Sequence, residues 1–366
     1  MRRTPALILG GGPAGASTAI RLAQAGLPHL LIERSRETGD ALCGGFLSWR
    51  TLESLVSLGI EPEALGPARV HTVRLFAGAA MVEAPLPRAA HGVSRRHLDT
   101  LLLARAAAAG AAIERGVTVR ETTGNSARLH DGTVIEADAL FLASGKHDVR
   151  GLARPESARG NDPTLGLRVR LGPSPTLDRL IGSAIELHLF ERGYAGIVRQ
   201  EDGTANLCMA VHRSRLAEAG TPDTLLDMLA AEMPHLAERL AWRVAGQVDA
   251  VANVPYGWRA RQGTAGLFRL GDQAGVIPSL AGEGMGIAIA SGIRAADCYA
   301  AGGAQASTRY QHRLARDLAW PIGLAGLVRD AAERPRIARA LLPLAQHTPF
   351  LIEIIARATR IGYVRP

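Results

Sequence analysis

A glycine-rich turn near the amino terminus has the spacing of a nucleotide-phosphate site. Residues 10–15 read GGGPAG, a GxGxxG pattern, between an apolar run typical of a buried strand and a segment with a helical pattern. In such a turn Gly10 permits the tight bend, Gly12 lets the backbone approach a pyrophosphate, and Gly15 allows close packing of helix on strand. The helix amino terminus adds the positive end of its dipole. The turn therefore predicts a site for the pyrophosphate of a dinucleotide.

An acidic residue follows this turn at the distance expected of a ribose-binding carboxylate. Glu33 ends the next predicted strand, and its carboxylate can accept hydrogen bonds from ribose hydroxyls. Because an acidic residue disfavours a 2′-phosphate, the site favours FAD or NAD over NADP. A glycine-rich turn that binds no ligand is the alternative interpretation.

A second polar group surrounds Lys146, which is the single lysine among the 42 Lys and Arg residues. Lys146, His147 and Asp148 follow a predicted buried strand, at the edge where α/β sheets bind ligands. An ammonium can contact a cofactor phosphate as a point charge, and an imidazole can titrate near neutral pH. The alternative is an exposed turn whose lysine is accidental. We favour function because lysine is otherwise excluded from the chain.

The segments around these motifs alternate between strand and helix patterns. Residues 6–9 and 29–32 are short apolar runs typical of buried strands, and residues 14–25 between them have a helical pattern. This strand–helix–strand order predicts a parallel sheet. Residues 165–211 instead alternate apolar and polar side chains between Gly-containing turns, which predicts an antiparallel sheet built from hairpins.

Further patterns complete the predicted order of elements. The remaining predicted strands cover residues 139–143 and 266–271, and helices are predicted over 97–109, 222–245 and 284–300. Residues 306–360 have the pattern of amphipathic helices interrupted by prolines. The sequence thus predicts a mixed α/β protein with a helical carboxyl-terminal part.

The bulk composition excludes several classes of protein. The chain has 366 residues and a net charge of +8, but aromatics make up only 4% and no basic run exceeds two residues, which argues against a nucleic-acid surface. Its three cysteines are far apart, which argues against a disulfide framework or a zinc site and fits a cytoplasmic location. We find neither a signal-peptide pattern nor an apolar run of about 18 residues, so no membrane-spanning helix is expected.

Three separated blocks resemble the flavoprotein superfamily of p-hydroxybenzoate hydroxylase and geranylgeranyl reductase. These blocks are GGGPAG with Glu33-Arg34, VSRRHLD over 93–99, and GDQAG…P…GEG over 271–284. The resemblance implies FAD as cofactor and an α/β fold. It implies a Rossmann-like FAD-binding domain of glutathione-reductase type with a mostly parallel sheet, an inserted antiparallel β-sheet substrate domain, and carboxyl-terminal helices.

The resemblance also divides the chain into segments. We assign residues 1–70, 91–160 and 254–305 to the FAD-binding domain, 71–90 to a substrate-side hairpin, 161–253 to the substrate domain, and 306–366 to carboxyl-terminal helices. The FAD-binding domain would therefore be assembled from three separated parts of the chain.

The resemblance implies roles for individual residues. Asp272 would bond the ribityl chain and the adjacent phosphate region, and Arg95 would lie near the phosphates, with a surface arginine beside a helix as the alternative. The loop before the helix at 284–300 would line the isoalloxazine, where oriented amides stabilise negative charge on the reduced ring. The residues expected to bind FAD are Gly10, Gly12, Pro13, Ala14, Gly15, Glu33, Arg34, Cys43, Gly44, Gly45, Arg95, Val117, Ser144, Gly145, Gly271, Asp272, Pro278, Gly282, Gly284 and Met285.

Several details bear on the branch of the superfamily. The stretch CGG over 43–45 is similar to a loop that lies close to the flavin in geranylgeranyl reductases. Gly275 stands where aromatic hydroxylases usually have His, and residues 143–150 lack the Asp-Gly pair that serves FAD and NADPH in hydroxylases. Trp242 and Trp258 do not supply the WxWxIP pattern of halogenases. The reductase branch is therefore favoured.

The expected activity is reduction of a C=C bond in a hydrophobic small molecule, with hydride from flavin N5 and NAD(P)H as electron donor. The candidate catalytic residues are Cys43, Tyr194, Lys146 and His147. The alternatives are a small buried thiol for Cys43 and a packing aromatic for Tyr194. At the level of the protein, an NAD(P)H-dependent monooxygenase acting on an aromatic or polyketide-like substrate stays open, as does a non-catalytic flavin-binding redox protein.

The apolar stretch over 340–356 has three interpretations, which imply different partners for the protein. It could cover a channel for a hydrophobic substrate or lie on a membrane surface as a peripheral contact. A helix packed on its own domain is the third interpretation.

Overall fold

The computed structural model describes residues 1–246 and 248–361. The strands are, in chain order, β1 Arg2–Leu9, β2 Leu30–Glu33, β3 Phe46–Leu47, β4 Arg69–Ala77, β5 Ala80–Gly92, β6 Ala112–Arg115, β7 Val119–Thr123, β8 Ser126–Leu129, β9 Val134–Leu142, β10 Thr164–Leu171, β11 Ala184–Phe190, β12 Gly193–Arg199, β13 Ala205–His212, β14 Asp249–Val254 and β15 Leu267–Arg269. The helices are α1 Pro13–Gln24, α2 Trp49–Ser57, α3 Arg95–Ala108, α4 Pro175–Ile181, α5 Arg213–Ala219, α6 Pro222–Glu232, α7 Pro234–Leu240, α8 Gly284–Gly302, α9 Ser307–Asp317, α10 Ala319–Ala332, α11 Pro335–His347 and α12 Pro349–Ala358.

The first sheet is mostly parallel. Its parallel strands run in the order β6-β2-β1-β9-β15, and the antiparallel hairpin of β7 and β8 continues from the first half of β9. Ile8 in β1 lies opposite Leu31 and Phe141 in the flanking strands. All three side chains are fully buried, as is usual for parallel strands covered on both faces.

One face of this sheet is covered by helices α1, α3 and α8, which share the main hydrophobic core with it. Ile20, Leu102 and Ile289 are fully buried in this core. Pro13 stands in the first turn of α1, where its missing N–H costs nothing. Ser94 caps α3 by accepting a hydrogen bond from the amide of His97 at 3.0 Å. Pro13 and the Ser94 cap therefore fix where the two helices begin, beside the ends of the parallel strands.

The second sheet has eight strands in the order β14-β10-β13-β12-β11-β4-β5-β3. All its neighbours are antiparallel except β4 and β11, which run parallel. On one face Leu207 packs in a hydrophobic cluster with Leu225 and Leu229 of α6. The other face is turned toward the amino-terminal sheet and forms one wall of a large cavity.

The carboxyl-terminal helices complete the fold. Helices α11 and α12 pack on β4 and β5, where Ala338 and Leu342 form a small apolar cluster with Ala77 and Val82. Within the described ranges, no helix is both long enough and apolar enough to span a bilayer.

The expected α/β class is confirmed, with two local corrections. The helix predicted over 222–245 is two helices, because Pro234 lacks the N–H needed to continue α6 and the chain restarts there as α7. The segment predicted as hairpins over 165–211 contains the helix α4, which Ser174 caps and Pro175 begins. The strands within that segment pair antiparallel as predicted, and the parallel partner of β11 is β4, which lies outside the segment.

Candidate active site

A cavity of about 810 Å³ separates the two sheets. Its walls come from the turn between β1 and α1, the loop after β2, the loop after β9, the loop before α8, and the inner face of the second sheet. Ligand sites of cofactor size fall in the range of about 300–1,000 Å³. The cavity lies at the carboxyl ends of the parallel strands, where open α/β sheets bind ligands.

The glycine-rich turn requires its glycines for steric reasons. Gly10 has a φ of +109°, and a Cβ there would lie 2.6 Å from the carbonyl oxygen of Ala143. A Cβ on Gly15 would lie 1.9 Å from the carbonyl oxygen of Gly10, so this glycine lets α1 touch the turn. Gly12 caps α1 without a side-chain hydrogen bond. The first amides of α1 are thus left for an anion in the cavity.

Two charged residues fix the surroundings of this turn. Glu33 accepts hydrogen bonds from the amides of Gly11 at 2.7 Å and Ser35 at 2.8 Å. Arg95 makes a bidentate ion pair with Asp99, at 2.8 and 2.7 Å, and its Nη2 would lie 3.3 Å from a Cβ on residue 12. Burial alone would lower the pKa of Arg95, but the charge of Asp99 outweighs it and raises that pKa. A permanent cation therefore stands over the pyrophosphate turn.

Lys146 connects two walls of the cavity. Its Nζ donates to the carbonyl oxygen of Leu42 at 3.3 Å and lies 3.9 Å from Oδ2 of Asp272. The buried guanidinium of Arg154 donates to the carbonyl oxygens of Asp272 at 3.1 Å and Lys146 at 2.6 Å. The single lysine thus lies inside the site, between the loop after β2 and the strand end that carries Asp272.

The rest of the loop after β9 is held at its backbone. The side-chain amide of Gln273 donates to the carbonyl oxygen of Gly145 at 2.9 Å. The hydroxyl of Ser144 donates to the carbonyl oxygen of His147 at 2.7 Å. The imidazole of His147 is exposed, and its Nε2 lies 3.1 Å from a guanidinium nitrogen of Arg34. Partial desolvation of the ring and the charge of Arg34 lower the pKa of His147, which keeps the ring neutral near pH 7.

The CGG loop is fixed by the second sheet. The buried side-chain amide of Asn206 donates to the carbonyl oxygens of Cys43 at 2.8 Å and Gly44 at 3.0 Å. Gly45 has a φ of +77°, and a Cβ there would lie 2.9 Å from both Nε2 of Gln200 and a backbone oxygen. Only glycine fits this position without strain.

An ion-pair cluster around Arg168 of β10 holds an earlier part of the same loop, at Asp40 and Ala41. Arg168 donates to Oδ2 of Asp40 at 3.1 Å and to Oδ2 of Asp249 at 2.5 Å. It also donates to the carbonyl oxygens of Asp40 and Ala41, at 2.8 and 3.2 Å. Arg168 therefore links the loop after β2 to the antiparallel sheet.

The loop before α8 forms a further wall of the cavity. Gly282 has a φ of +64°, and a Cβ on it would lie 2.7 Å from the ring of Phe46. Gly284 and Met285 follow it into the first turn of α8, and all three line the cavity. The helix thus directs its amino-terminal amides toward the space between the two sheets.

A cluster of hydroxyl groups lies next to this loop. The hydroxyl of Tyr194 is 2.7 Å from Oγ of Ser279 and accepts from the amide of Leu280 at 3.1 Å. Tyr256 donates to the same Ser279 oxygen at 2.8 Å. Burial raises the pKa of Tyr194 to about 12 and raises that of Tyr256 well above its usual value. Both phenols therefore remain protonated at neutral pH and can act as hydrogen-bond donors or acids.

The remaining wall of the cavity is apolar. Gly196 of β12 leaves space beside Tyr194, since a Cβ there would meet nothing closer than 3.6 Å. The aliphatic side chains along this wall are Leu42, Ile185, Leu187, Val254, Ile277 and Leu280.

The structure brings almost all of the predicted residues to this one cavity. Cys43, Tyr194, Lys146 and His147 line it, together with eighteen of the residues predicted to bind FAD. Gly15 lies behind the turn, packed on Gly10. Pro278 precedes the short turn at Ser279–Ala281, and its neighbours, not Pro278 itself, line the cavity. Tyr256 also lines the cavity, whereas Trp258, two residues later, lies under the guanidinium of Arg154.

FAD fits this arrangement by shape and donor set. The glycine turn and the first amides of α1, which no side chain caps, suit a pyrophosphate. The carboxylate of Glu33 at the end of β2 suits a ribose. In sequence, residues 3–151 match the family of FAD binding domains. The protein is an FAD-dependent oxidoreductase. The expected resemblance to the hydroxylase and geranylgeranyl reductase superfamily is thereby confirmed.

Curated relatives of this oxidoreductase match most of its length. The menaquinone reductase of Mycolicibacterium smegmatis is 26% identical over 378 residues, covering 97% of this chain and 91% of that protein. The digeranylgeranylglycerophospholipid reductase 2 of Methanopyrus kandleri is 26% identical over 305 residues, covering 78% of this chain and 74% of that protein.

Solved structures similar to the oxidoreductase include enzymes of other types. PqsL of Pseudomonas aeruginosa, in complex with 2-aminobenzoylacetate, superposes with a TM-score of 0.74 at 16% identity, covering 93% of this chain and all of that chain. The flavin-dependent brominase Bmp2 gives 0.74 at 17% identity, covering 98% and 93%. At such identities the likeness shows the shared fold alone.

Several residues of the oxidoreductase's site escaped sequence reasoning. Asn206 and Arg168 are polar residues that lie between buried aliphatic residues on their strands. A polar residue in such a position is a signal that its side chain faces a cavity or a loop. Ser279 gave no such signal, because it lies in a loop and meets Tyr194 only through the tertiary fold.

Proposed function

We propose that this oxidoreductase reduces a C=C bond of a lipophilic small molecule. The observation that carries the proposal is the pairing of an apolar wall with one compact cluster of protonated hydroxyls at the loop before α8. Hydride addition to a C=C bond also requires a proton at the neighbouring carbon, and a neutral phenol beside an apolar wall is a suitable acid. The names of the relatives, a menaquinone reductase and a digeranylgeranylglycerophospholipid reductase, point to the same class of substrate.

The chain's residues divide the work between cofactor and substrate. Bound FAD, once reduced, supplies the hydride from its N5. The glycine turn and Arg95 hold the phosphates, Glu33 is placed to accept from ribose hydroxyls, and Lys146 neutralises Asp272 beside the bound cofactor. The apolar wall excludes water, which favours hydride transfer to the substrate over side reactions.

Tyr194 is the proton donor we favour. The amide of Leu280 donates to its oxygen, which stabilises the phenolate left after the proton leaves. Tyr256 and Ser279 complete the cluster and can return a proton to Tyr194 through their hydroxyls.

Cys43 is the second candidate for the proton donor. Asn206 holds its backbone in the loop beside the cavity. Cys208 lines the same cavity, but burial raises the pKa of its thiol to about 12, so it stays protonated. Replacing Cys43 by Ser separates this candidate from Tyr194, because only the residue that supplies the proton should limit reduction of the substrate.

We propose NAD(P)H as the electron donor. The sequence contains no second GxGxxG turn for a separate nicotinamide domain, so the nicotinamide would approach through the open side of the same cavity. Anaerobic mixing with NADH or NADPH, with loss of the flavin absorbance as readout, tests this step separately from reduction of the substrate.

We also propose that the protein is cytoplasmic and binds the surface of an anionic membrane through α10–α12. Apolar side chains on these helices are exposed, with Trp320 and Leu327 at 70% and Phe350 at 57%. Exposed arginines at 334, 336 and 339 lie among them, and this mixture of apolar and cationic groups is typical of helices that lie on anionic lipid.

The position of these helices connects them to the proposed substrate wall. On β11, Ile185 and Leu187 line the cavity, and the next residue on that face, Leu189, packs against the cluster of α11 and α12. A lipophilic substrate entering from a membrane would thus meet the apolar wall directly.

The decisive experiment follows reoxidation of the reduced enzyme without oxygen. The protein is loaded with FAD, reduced, and mixed with menaquinone or a geranylgeranyl lipid, and the product is analysed by mass spectrometry. We expect recovery of the oxidised flavin spectrum and a product that stays two hydrogens heavier after air has returned any quinol to the quinone. No reoxidation with any polyprenyl or enone substrate would refute the proposal. Oxygen uptake coupled to a product with one added oxygen would instead establish a monooxygenase.

A further inference from the structure

Glu283 is a buried carboxylate in the middle of the loop that lines the cavity. Its side chain is fully buried, whereas its neighbours Gly282 and Gly284 face the cavity. Ser48 donates to its Oε2 at 3.0 Å. The carboxylate lies against the first turn of α8, since its Oε1 would be 2.5 Å from a Cβ on Gly286. The negative charge thus lies behind the loop, close to the positive end of the helix dipole.

The carboxyl-terminal end of the described chain neutralises this carboxylate. Arg360 donates from Nη1 to Oε2 of Glu283 at 3.1 Å and also to the carbonyl oxygen of Ala281. The amide of Ile361 donates to Oε1 at 3.1 Å. The guanidinium stacks over the rings of Phe46 and Trp49, 5.8 and 5.2 Å from their centroids. The pair therefore holds the loop, α2 and the residues after α12 together.

The charges of this pair must be balanced because both groups are buried. The Arg360 side chain is 7% exposed and that of Glu283 is not exposed at all. A buried ion left without its partner carries a large desolvation cost and a strong local field. The atoms that would feel the field most are those of a group bound against the loop at Gly282–Met285.

We propose that the Arg360–Glu283 pair is a positioning and charge-balancing device that sets the reduction potential of the bound FAD. The pair fixes the loop expected to face the isoalloxazine and cancels the charge that would otherwise lie behind it. Reduction places negative charge on the isoalloxazine, so an unbalanced cation behind the loop favours the reduced form and an unbalanced anion favours the oxidised form. The proposal requires FAD in this cavity but not any particular substrate or reaction, so it can fail independently of the proposed function.

The test measures the reduction potential of bound FAD in charge-altering variants of the full-length protein. E283Q leaves Arg360 unbalanced and is expected to strengthen binding of reduced FAD about tenfold relative to oxidised FAD. For a two-electron couple this raises the reduction potential by about 30 mV. R360Q leaves Glu283 unbalanced and is expected to shift the potential in the opposite direction. The double variant E283Q/R360Q and the variant R360K keep the balance, and their potentials should stay near that of the wild type.

The control is R357Q, which removes an exposed cation paired with Glu353 on α12. It should leave the potential unchanged. If the pair had a merely structural role, the reduction potentials of both single variants would shift in the same direction, or only their melting temperatures would fall. Either result would overturn the proposal. If R360Q fails to fold, E283Q and R360K still decide the question, because they predict a raised and an unchanged potential.

Discussion

The hydroxyl of Tyr194 on β12 lies 2.7 Å from that of Ser279 in the loop before α8. One hydrogen bond thus joins the substrate-side sheet to the loop expected to face the isoalloxazine. Since the amide of Leu280 also donates to the Tyr194 oxygen, the phenol is held in one orientation. This relationship makes Tyr194 the residue whose removal should separate proton transfer from cofactor binding.

Y194F should lower the rate of substrate reduction by about a hundredfold, the usual scale of a lost general acid. Flavin binding and flavin reduction by the donor should change little, because the phenol touches neither the phosphate nor the ribose end of the site. Stopped-flow measurement of flavin reoxidation by substrate is the readout. Because burial raises the pKa of Tyr194 to about 12, the wild-type rate should show no loss from its ionisation up to about pH 10.

Y256F is the matched control, since Tyr256 bonds the same Ser279 oxygen from the other side. It should slow substrate reduction far less than Y194F. Equal reoxidation rates for Y194F and the wild type would assign the proton to another group, and a slow C43S would then identify Cys43.

N206A should loosen the CGG loop and weaken FAD binding. The substitution removes two hydrogen bonds to the carbonyl oxygens of Cys43 and Gly44 inside a buried region, which costs about 1–3 kcal/mol for the groups left unpaired. We expect a lower free energy of unfolding in urea and a raised dissociation constant for FAD by fluorescence titration.

The control for this change is T204A, in the loop before β13, where the hydroxyl of Thr204 donates to Oδ1 of Asp202 at 2.6 Å. It should leave FAD affinity unaltered. An N206A protein that binds FAD as tightly as the wild type would show that the loop keeps its conformation without the amide.

The sequence predicted those parts of the site that depend on local backbone geometry. The glycine turn at 10–15 and Glu33 lie within one strand–helix–strand unit, so their spacing alone places them together. The partnerships of Asn206 with Cys43 and of Arg360 with Glu283 join residues far apart in the chain. No local pattern encodes such pairs, because they depend on how the two sheets and the last helix pack.

K146Q should raise the dissociation constant of FAD roughly three- to tenfold, as expected for a partly exposed cation beside Asp272. K146R should also weaken binding, because a planar guanidinium cannot replace the point contact between Nζ and the carbonyl oxygen of Leu42. Isothermal titration at low and high salt measures both effects. R159Q serves as the control, because it removes an exposed cation from the smaller cavity next to Lys146, and it should leave FAD affinity unchanged. If K146R binds FAD like the wild type, the lysine has no special role.

Glu186 makes the second sheet sensitive to acid. Burial alone would raise the pKa of this carboxyl, but hydrogen bonds from His188 and Arg239 outweigh it and lower that pKa to about 2. A depressed carboxyl pKa stabilises the fold above its unfolded value near 4.5, and this stability is lost as pH falls toward about 2. Urea unfolding of the wild type should therefore weaken steeply across that window.

E186Q should lower the free energy of unfolding at neutral pH by about 3 kcal/mol, because the buried Arg239 loses its buried anion and keeps the exposed Glu238 as its acidic partner. Its stability should also depend less on pH between about 4.5 and 2. E218Q, which removes the exposed partner of Arg192, should lower the free energy of unfolding much less, because solvent screens this ion pair. Equal losses in the two variants would contradict a buried charge network behind the cavity.

Replacing apolar side chains on α12 should reduce binding to anionic vesicles. Phe350 and Ile354 are 57% and 53% exposed, one turn apart on the same helix, so glutamates there remove apolar contact and add repulsion from the lipid charge. We expect F350E/I354E to lose co-sedimentation with phosphatidylglycerol vesicles while keeping its melting temperature. V56E, at an exposed apolar residue of α2, should bind like the wild type. If the wild type ignores the vesicles and the double variant converts a dimer into a monomer, the partner of this surface is a second copy of the chain.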